Sequence, residues 1–260
     1  MLGIEIPVFI PLIIAGIAIA TAAMAVGIGG GILWTPLLII GYGLSPLEAV
    51  TSSLIIQLSG LGSGTIVYFS QRNVKFKLSL IFFLVALPGV IAGSFAAVRL
   101  PENQVQLALG VMAMLLAIFF VATQESTDPP ITSSKGNYDS SKVRSLLPIP
   151  GFFGLLMGFL SVGISEWMIP ALQQRLRLGM CLAIGTVIPM MFMLAAVAAG
   201  IHFYQAESIN WDIIIWGSIG TLIGGQIGPR INRLIPERVL KETFIYLMTL
   251  IGIHLIFQAV

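Results

Sequence analysis

The sequence predicts an all-α polytopic membrane protein, and three observations support that prediction. The 260 residues are 57% hydrophobic and only 9% charged, whereas soluble domains carry about 25% charged residues. The mean hydropathy is +1.00. Eight apolar runs approach or exceed the roughly 20 residues that a membrane-spanning helix needs.

One polar stretch divides the runs into two halves. It occupies 124–147 and is rich in Ser, Pro, Asp and Lys, which is typical of a linker. We therefore predict a first transmembrane repeat at 1–123, a polar linker at 124–147 and a second transmembrane repeat at 148–260. The eight runs lie at 7–42, 46–70, 77–99, 103–123, 148–172, 178–203, 209–230 and 238–258.

Two of the apolar runs are interrupted. The stretch GIGGG, at Gly27–Gly31, interrupts the first run, and Ser165 with Glu166 interrupts the fifth. Glycine costs about 1 kcal/mol relative to alanine inside a helix. Four glycines within five residues therefore mark a break in the first helix.

The distribution of Lys and Arg distinguishes two topologies. If every run crosses the membrane once, the 13 basic residues divide almost evenly and give no orientation. If the runs at 7–42 and 148–176 each enter and return, every basic residue except Arg99 falls on one side. We therefore predict that each half is a broken or re-entrant helical hairpin plus three spanning helices, with both termini outside and the linker cytoplasmic. Eight simple crossings are the alternative.

The two halves also align with each other. Gly27–Ile28 matches Gly163–Ile164, and from Val74 onward the offset between the halves is a steady 135 residues. In the predicted topology one half begins outside and the other inside, so the repeats are inverted, as in many transporters. Such a repeat permits two related states, each open to one side of the membrane.

The motif of the first half resembles that of a known family. The segment GIGGGILWTPLLIIGYGLSPLEAVTSS, with its weaker copy GISEWMIPALQQRLRLGMCLAIGT, resembles the sulfite exporter TauE/SafE family of membrane permeases. The resemblance covers essentially the whole chain and implies export of sulfite, sulfoacetate or another organosulfonate across a bacterial cytoplasmic membrane. Because Ser165–Trp167 replaces Gly29–Gly31 in the second half, the halves are not expected to bind substrate identically.

Gly29, Gly30 and Gly31 are candidate substrate-binding residues. Irregular backbone at membrane depth is tolerated where it lines a cavity or is buried in protein. Its N–H groups can point at an anion beside the N-terminus of the next half-helix. The hypothesis is an anion cradle at the tip of the first hairpin, and the alternative is close packing of helices through small residues.

Uncharged donors make up the rest of the predicted substrate-binding set. Thr51, Ser52 and Gln57 can donate hydrogen bonds to sulfonate oxygens without a net charge, which suits a transporter that must release its substrate. Thr186 is the second-half counterpart of Ser52, and Ser165 stands at the second break. The alternative is that the hydroxyls bond back to carbonyls of their own helices.

Glu166 is the candidate residue for proton coupling. An acidic group within an apolar run is costly and usually functional, so this side chain could be protonated when the anion binds. Alternatively, it lies at a turn wetted by a vestibule, or it pairs with Arg175 or Arg177.

Together these features predict a secondary transporter of small sulfur-containing anions that works by alternating access. Transport would be either coupled to protons or facilitated diffusion. An anion channel and an uptake permease for a related oxyanion such as thiosulfate are the alternatives. We expect no enzymatic activity, no cofactor, no metal and no nucleic-acid partner. The expected partners are the small anion and the lipid bilayer, with a homodimer as an open alternative to a monomer.

Overall fold

The structure is a computed structural model that describes residues 6–122, 140–162, 164–206, 208–232 and 237–259. Over these residues the chain is helical apart from turns and short connections, which confirms the predicted all-α fold. The helices are α1 (Ile6–Val26), α2 (Gly31–Tyr42), α3 (Pro46–Ser70), α4 (Phe76–Ala97), α5 (Glu102–Ala122), α6 (Ser140–Arg144), α7 (Pro148–Leu160), α8 (Ser165–Leu176), α9 (Met180–Gln205), α10 (Trp211–Ile231) and α11 (Glu237–Ala259).

Within the described residues, six helical stretches have the length and hydropathy needed to cross a membrane. Four of them coincide with predicted spanning helices, whereas α10, at 21 residues, falls outside the set. In α10, Gln226 and Arg230 lower the hydropathy. The stretches are Phe9–Val26, Pro46–Ser70, Phe76–Ala97, Glu102–Phe119, Ser141–Leu160 and Met180–Gln205.

The first interrupted run consists of a long helix and a short one. The short helix α2 has 12 residues, which at about 1.5 Å per residue gives a length of roughly 18 Å. The hydrocarbon core of a bilayer is about 30 Å thick. This helix therefore reaches only part of the way across a membrane.

The packing of this run against α3 shows that the chain reverses between α1 and α2. Ala20 of α1 lies beside Gly60, and the hydroxyl of Tyr68, further along α3, donates to the carbonyl oxygen of Met24. Helix α1 therefore runs in the same direction as α3. In α2 the order is opposite, because its first residue contacts Gln57 and the later Thr35 contacts the earlier Ser53. The reversal predicted at the GIGGG break is present.

The second interrupted run reverses as well. It consists of α7, with 13 residues, and α8, with 12. Near the end of α8, Nη1 of Arg175 donates to Oγ of Ser145, which lies just before α7, at 3.1 Å. The end of this run therefore returns to the end of the bundle where it began. Gly163, the counterpart of Gly27 at this break, lies outside the described residues.

The two halves interlock rather than form separate bodies. Helix α1 packs along α10 of the other half, and the corresponding helix α7 packs along α4. Helices α3 and α10 pack together as α9 and α4 do, while α2 packs on α3 as α8 packs on α9. The contacts of α10 with α1 and α3 thus have counterparts in those of α4 with α7 and α9 when the halves are exchanged. The inverted orientation of the halves and the domain boundaries at 123 and 148 stay predictions.

Small residues allow the closest of these contacts. Gly16 of α1 lies against the backbone of Gly217 and Gly220 in α10. Gly154 and Gly158 of α7 lie in the same way against the backbone of α4. Close approach through small residues is the usual means by which membrane helices associate, and here it fixes both hairpins against the rest of the bundle.

Most of the predicted linker lies outside the described residues. Its last part, at 140–147, forms the short helix α6 and a turn that leads into α7. Large apolar side chains such as Ile66 and Leu84 are exposed on the surface of the bundle, as expected of a surface that contacts lipid.

Candidate functional site

The tips of the two hairpins meet inside the bundle. The backbone N–H of Gly29, just before α2, donates to Oε1 of Glu166 at 3.0 Å. The hydroxyl of Ser165 donates to Oε2 of the same carboxylate at 2.9 Å. Glu166 is 2% exposed and Ser165 is 0% exposed, so both hydrogen bonds are shielded from water. One acidic side chain thus joins two parts of the chain that are 137 residues apart.

A chain of uncharged polar groups extends along α2 and α3. The N–H of Gly31 donates to Oε1 of Gln57 at 3.1 Å, and Nε2 of Gln57 donates to Oγ of Ser161 at 2.5 Å. The Oγ atoms of Ser53 and Ser161 are 3.1 Å apart, and Oγ1 of Thr35 lies 2.8 Å from Oγ of Ser53. All four polar side chains are buried. These hydrogen bonds tie α2 and α3 to the end of α7.

Local backbone geometry explains why the breaks permit this contact. Gly27 ends α1 with a φ of +82°, which glycine adopts without strain. At Gly31 there is no room for a side chain, because a Cβ atom would overlap the carbonyl oxygen and Oγ of Ser161. Ser161 caps α7 in the left-handed region with a φ of 65°. The glycines therefore let two half-helices begin close together within the bundle.

The helix ends make this region favourable for negative charge. Both α2 and α8 begin at the hairpin tips, and the N-terminus of a helix carries roughly half a positive charge in partial charges on its free N–H groups. Oxyanions bind readily to such groups. Here the negative charge at the tips comes from the carboxylate of Glu166, whose two oxygens accept hydrogen bonds from both hairpins.

Five of the predicted site residues meet at the hairpin tips. A sixth, Gly30, lies between two of them and faces Cβ of Gln57 and the indole of Trp34. The low exposure of Glu166 argues against the alternative that it lies at a wetted turn. The five residues are Gly29, Gly31, Gln57, Ser165 and Glu166.

The other three predicted residues lie elsewhere. The hydroxyl of Thr51 donates to the carbonyl oxygen of Leu47 at 2.8 Å, which is the bond back to its own helix that was considered as the alternative. Oγ of Ser52 is buried and has no hydrogen-bond partner within the described part of the chain. Thr186 lies beside the start of α4, where its Oγ1 accepts a hydrogen bond from the N–H of Lys75 at 3.2 Å, and its hydroxyl also bonds back to the carbonyl oxygen of Leu182 at 2.6 Å.

The structure adds three hydroxyls that were not in the predicted set. Ser53 and Thr35 belong to the polar chain around Gln57, and Ser161 joins it to the second half. The repeat could not reveal Ser161, since the aligned position in the first half is Ala25, which has no polar side chain. Ser53 could have been predicted from the sequence, because it stands one helical turn before Gln57 and therefore shares its face of the helix.

The described residues contain no group of three or more His, Cys, Asp or Glu side chains that could hold a metal ion. The model of the family described as sulfite exporter TauE/SafE matches residues 12–255 of this chain. The chain belongs to this family.

Several relatives in the family match over most of their length. The probable membrane transporter protein YunE of Bacillus subtilis (strain 168) is 24% identical, over 97% of this chain and 98% of the relative. The probable membrane transporter protein YjnA of the same organism is 25% identical over 86% of this chain and 91% of the relative. The probable membrane transporter protein ORF9 of Sinorhizobium sp. is 21% identical over 88% and 85%. No solved structure gives a significant match. The TauE/SafE protein is thus a membrane transporter and not an enzyme.

Proposed function

We propose that this TauE/SafE protein is a secondary transporter that exports a small sulfur-containing anion, sulfite or an organosulfonate, across the bacterial cytoplasmic membrane. One observation carries the proposal. The backbone N–H of Gly29 and the hydroxyl of Ser165 hold a buried carboxylate where two half-helices begin. These donors already bind an anionic group, and a sulfite or sulfonate group presents oxygens of the same kind.

The donors at the tips suit a substrate that must be both bound and released. Backbone N–H groups, hydroxyls and the amide of Gln57 hold an anion without a fixed opposite charge. Half-helix N-termini serve anionic substrates in this way in other transporters with broken helices. Gly29, Gly31, Gln57 and Ser165 therefore form the proposed substrate-binding set.

Glu166 gives the proposed transporter a means of coupling to protons. In the structure its carboxylate occupies the donors that the substrate would use. Protonation removes its negative charge, so that the anion no longer meets a like charge and can take its place. One proton would then accompany each anion in the same direction, so that export would run down the outward gradient of the anion, and a proton gradient imposed in vesicles could drive the anion either way.

Alternating access between the two halves completes the proposed mechanism. The contacts of α10 and α4 with the other half come in exchanged pairs, so that two related states can form, each open to one side. In the proposed orientation both termini lie outside and the linker lies in the cytoplasm. Separation of the hairpin tips on one side or the other would expose the donors to water.

A flux assay in proteoliposomes tests the proposal. Sulfite, sulfoacetate, ethanesulfonate and thiosulfate would each be presented at two pH values, with protein-free liposomes as the control. Saturable flux of sulfite or a sulfonate, driven uphill by a proton gradient, is the expected result. Flux that reaches the much higher rates of a channel and never moves the anion against its concentration gradient would show a channel instead. Transport of thiosulfate alone would contradict the assigned substrate class.

A further inference from the structure

A small cavity borders the hairpin tips, between α1, α2, α3 and α10. Its volume is about 10 Å³, roughly the room that one water molecule needs. Ala20, Ala23 and Met24 of α1 form an apolar wall. The polar part of the lining comes from Gly30, Trp34, Gln57 and Thr221.

The indole of Trp34 is the unusual member of this lining. The side chain is 0% exposed, and among the residues that the structure describes its Nε1 has no hydrogen-bond partner. Two other polar groups of the lining are already bonded: Nε2 of Gln57 donates to Ser161, and Oγ1 of Thr221 donates to the carbonyl oxygen of Ile56. A buried tryptophan N–H usually finds a partner, and leaving it without one is costly.

An indole N–H can only donate, so its missing partner must be an acceptor. The cavity touches Gly30, and Gly30 lies between two residues that hold the polar contacts of the hairpin tips. An oxygen of a bound anion would reach Trp34 if the cavity widened when the tips separate. The apolar wall lies on the other helix, α1, where a short alkyl group would be in contact with Ala20, Ala23 and Met24.

We propose that this cavity is part of the substrate site, that Trp34 donates a hydrogen bond to one oxygen of the anion, and that the wall of α1 accommodates a short alkyl group. The inference rests on the proposed function and deepens it, because it assigns the substrate class as alkanesulfonates in preference to inorganic sulfite. Trp34 is then a substrate-contacting residue, although it lies in a cluster of apolar side chains.

Two substitutions test the site in the full-length protein in proteoliposomes. Trp34→Phe removes the donor and keeps an aromatic ring, and we expect the KM for ethanesulfonate to rise about tenfold, as for the loss of one hydrogen bond to a charged group. Trp216→Phe is the matched control, because Trp216 packs on Phe9 and does not line the cavity. We expect the control to keep the wild-type KM.

Gly30→Ala fills the cavity without disturbing the packing. The nearest atoms to an added Cβ are 3.7 Å away, an ordinary van der Waals contact, and Gly30 has a φ of −59° that alanine adopts readily. We expect this variant to fold as the wild type does and to lose ethanesulfonate transport more than sulfite transport. It also keeps the inference testable if Trp34→Phe fails to fold.

A binding measurement separates substrate contact from a structural role. A variant with Trp167, Trp211 and Trp216 replaced by phenylalanine retains Trp34 as its one tryptophan. We expect its fluorescence to change saturably with ethanesulfonate, whereas a variant retaining only Trp216 would not respond.

Three outcomes would overturn the inference while leaving the proposed function intact. The first is an unchanged KM for ethanesulfonate in Trp34→Phe, which would mean that the cavity holds a structural water only. The second is that Gly30→Ala lowers the transport of ethanesulfonate and of sulfite equally. The third is that the wild-type protein transports sulfite but not ethanesulfonate. Failure of the wild type to move any of the anions would instead contradict the proposed function itself.

Discussion

The backbone N–H of Gly29 and Oε1 of Glu166 lie 3.0 Å apart, although 137 residues of chain separate them. Each residue stands at the tip of one hairpin, and the acid occupies a position where the first half has glycine. The same hydrogen bond must therefore break whenever the tips separate. In the proposed mechanism this contact links the charge of Glu166 to the opening of the site.

Replacing Glu166 with Gln tests that link. The amide keeps the size of the side chain but has no negative charge and one acceptor oxygen in place of two. We expect Glu166→Gln to transport ethanesulfonate, which stays ionised between pH 5 and 8, with a flux that depends less on pH than that of the wild type, whose flux rises as the pH falls. The measurement is initial flux in proteoliposomes over that pH range.

The control for this substitution is Glu102→Gln. Glu102 lies exposed in the first turn of α5, far along the chain from either hairpin tip. We expect its pH dependence to match that of the wild type. A Glu166→Gln variant with normal flux and an unchanged pH profile would remove Glu166 from the mechanism.

A second prediction concerns the space at Gly31. A Cβ there would overlap the carbonyl oxygen and Oγ of Ser161, and the neighbouring backbone belongs to the other hairpin. We expect Gly31→Ala to lower the free energy of unfolding by about 1–3 kcal/mol, as overpacking of a dense core does. Thermal unfolding of the detergent-solubilised protein measures the effect.

Gly200→Ala is the matched control for that change. Gly200 lies in α9, and nothing stands within 4 Å of an added Cβ. Because alanine favours helix over glycine by about 1 kcal/mol, we expect the control to be as stable as the wild type or slightly more so. If Gly31→Ala and Gly200→Ala had the same free energy of unfolding, the hairpin tips would be able to move apart at Gly31 without loss of stability.

The third prediction separates backbone strain from hydrogen bonding at Ser161. This residue has a φ of 65°, a conformation that costs roughly 1–2 kcal/mol for residues other than glycine. Both Ser161→Gly and Ser161→Ala remove the acceptor for Nε2 of Gln57, but only glycine relieves the strain. We expect both variants to lose transport, with Ser161→Ala less stable than Ser161→Gly by about 1 kcal/mol.

Flux and thermal unfolding of the same two preparations check this prediction. If the hydroxyl is not needed to position Gln57 for transport, Ser161→Gly would keep the wild-type flux while it gains stability. If the backbone is unstrained, the two variants would unfold at the same temperature. Each result would contradict a different half of the prediction.

The sequence predicted the reversals because they depend on local chemistry. Glycine disfavours helix, basic residues stay on one side of a membrane, and both signals are visible at Gly27–Gly31 and in the loops. It also indicated Gly29, Gln57 and Glu166 as candidate functional residues, because polar groups and glycines at membrane depth are rarely incidental.

The remaining features depend on which helices face each other, and no local signal contains that information. Ser161 has no polar counterpart in the first half, and its role comes from the meeting of α7 with α2 and α3. Thr186 aligns with Ser52, yet Thr186 bonds to the start of α4, whereas Oγ of Ser52 has no partner among the described residues. Aligned repeats thus share a fold while their side chains meet different neighbours.

The last prediction assigns Thr186 a structural role. Its Oγ1 accepts a hydrogen bond from the N–H of Lys75, the residue that precedes α4. Thr186→Val keeps the shape and removes that acceptor, so we expect a loss of about 1 kcal/mol in the free energy of unfolding. The KM for the transported anion should stay unchanged.

Thr51→Val is the control, because the hydroxyl of Thr51 bonds only along its own helix in the described hydrogen bonds. We expect it to leave the free energy of unfolding nearly unchanged. A raised KM in Thr186→Val at wild-type stability would return Thr186 to the substrate-binding set.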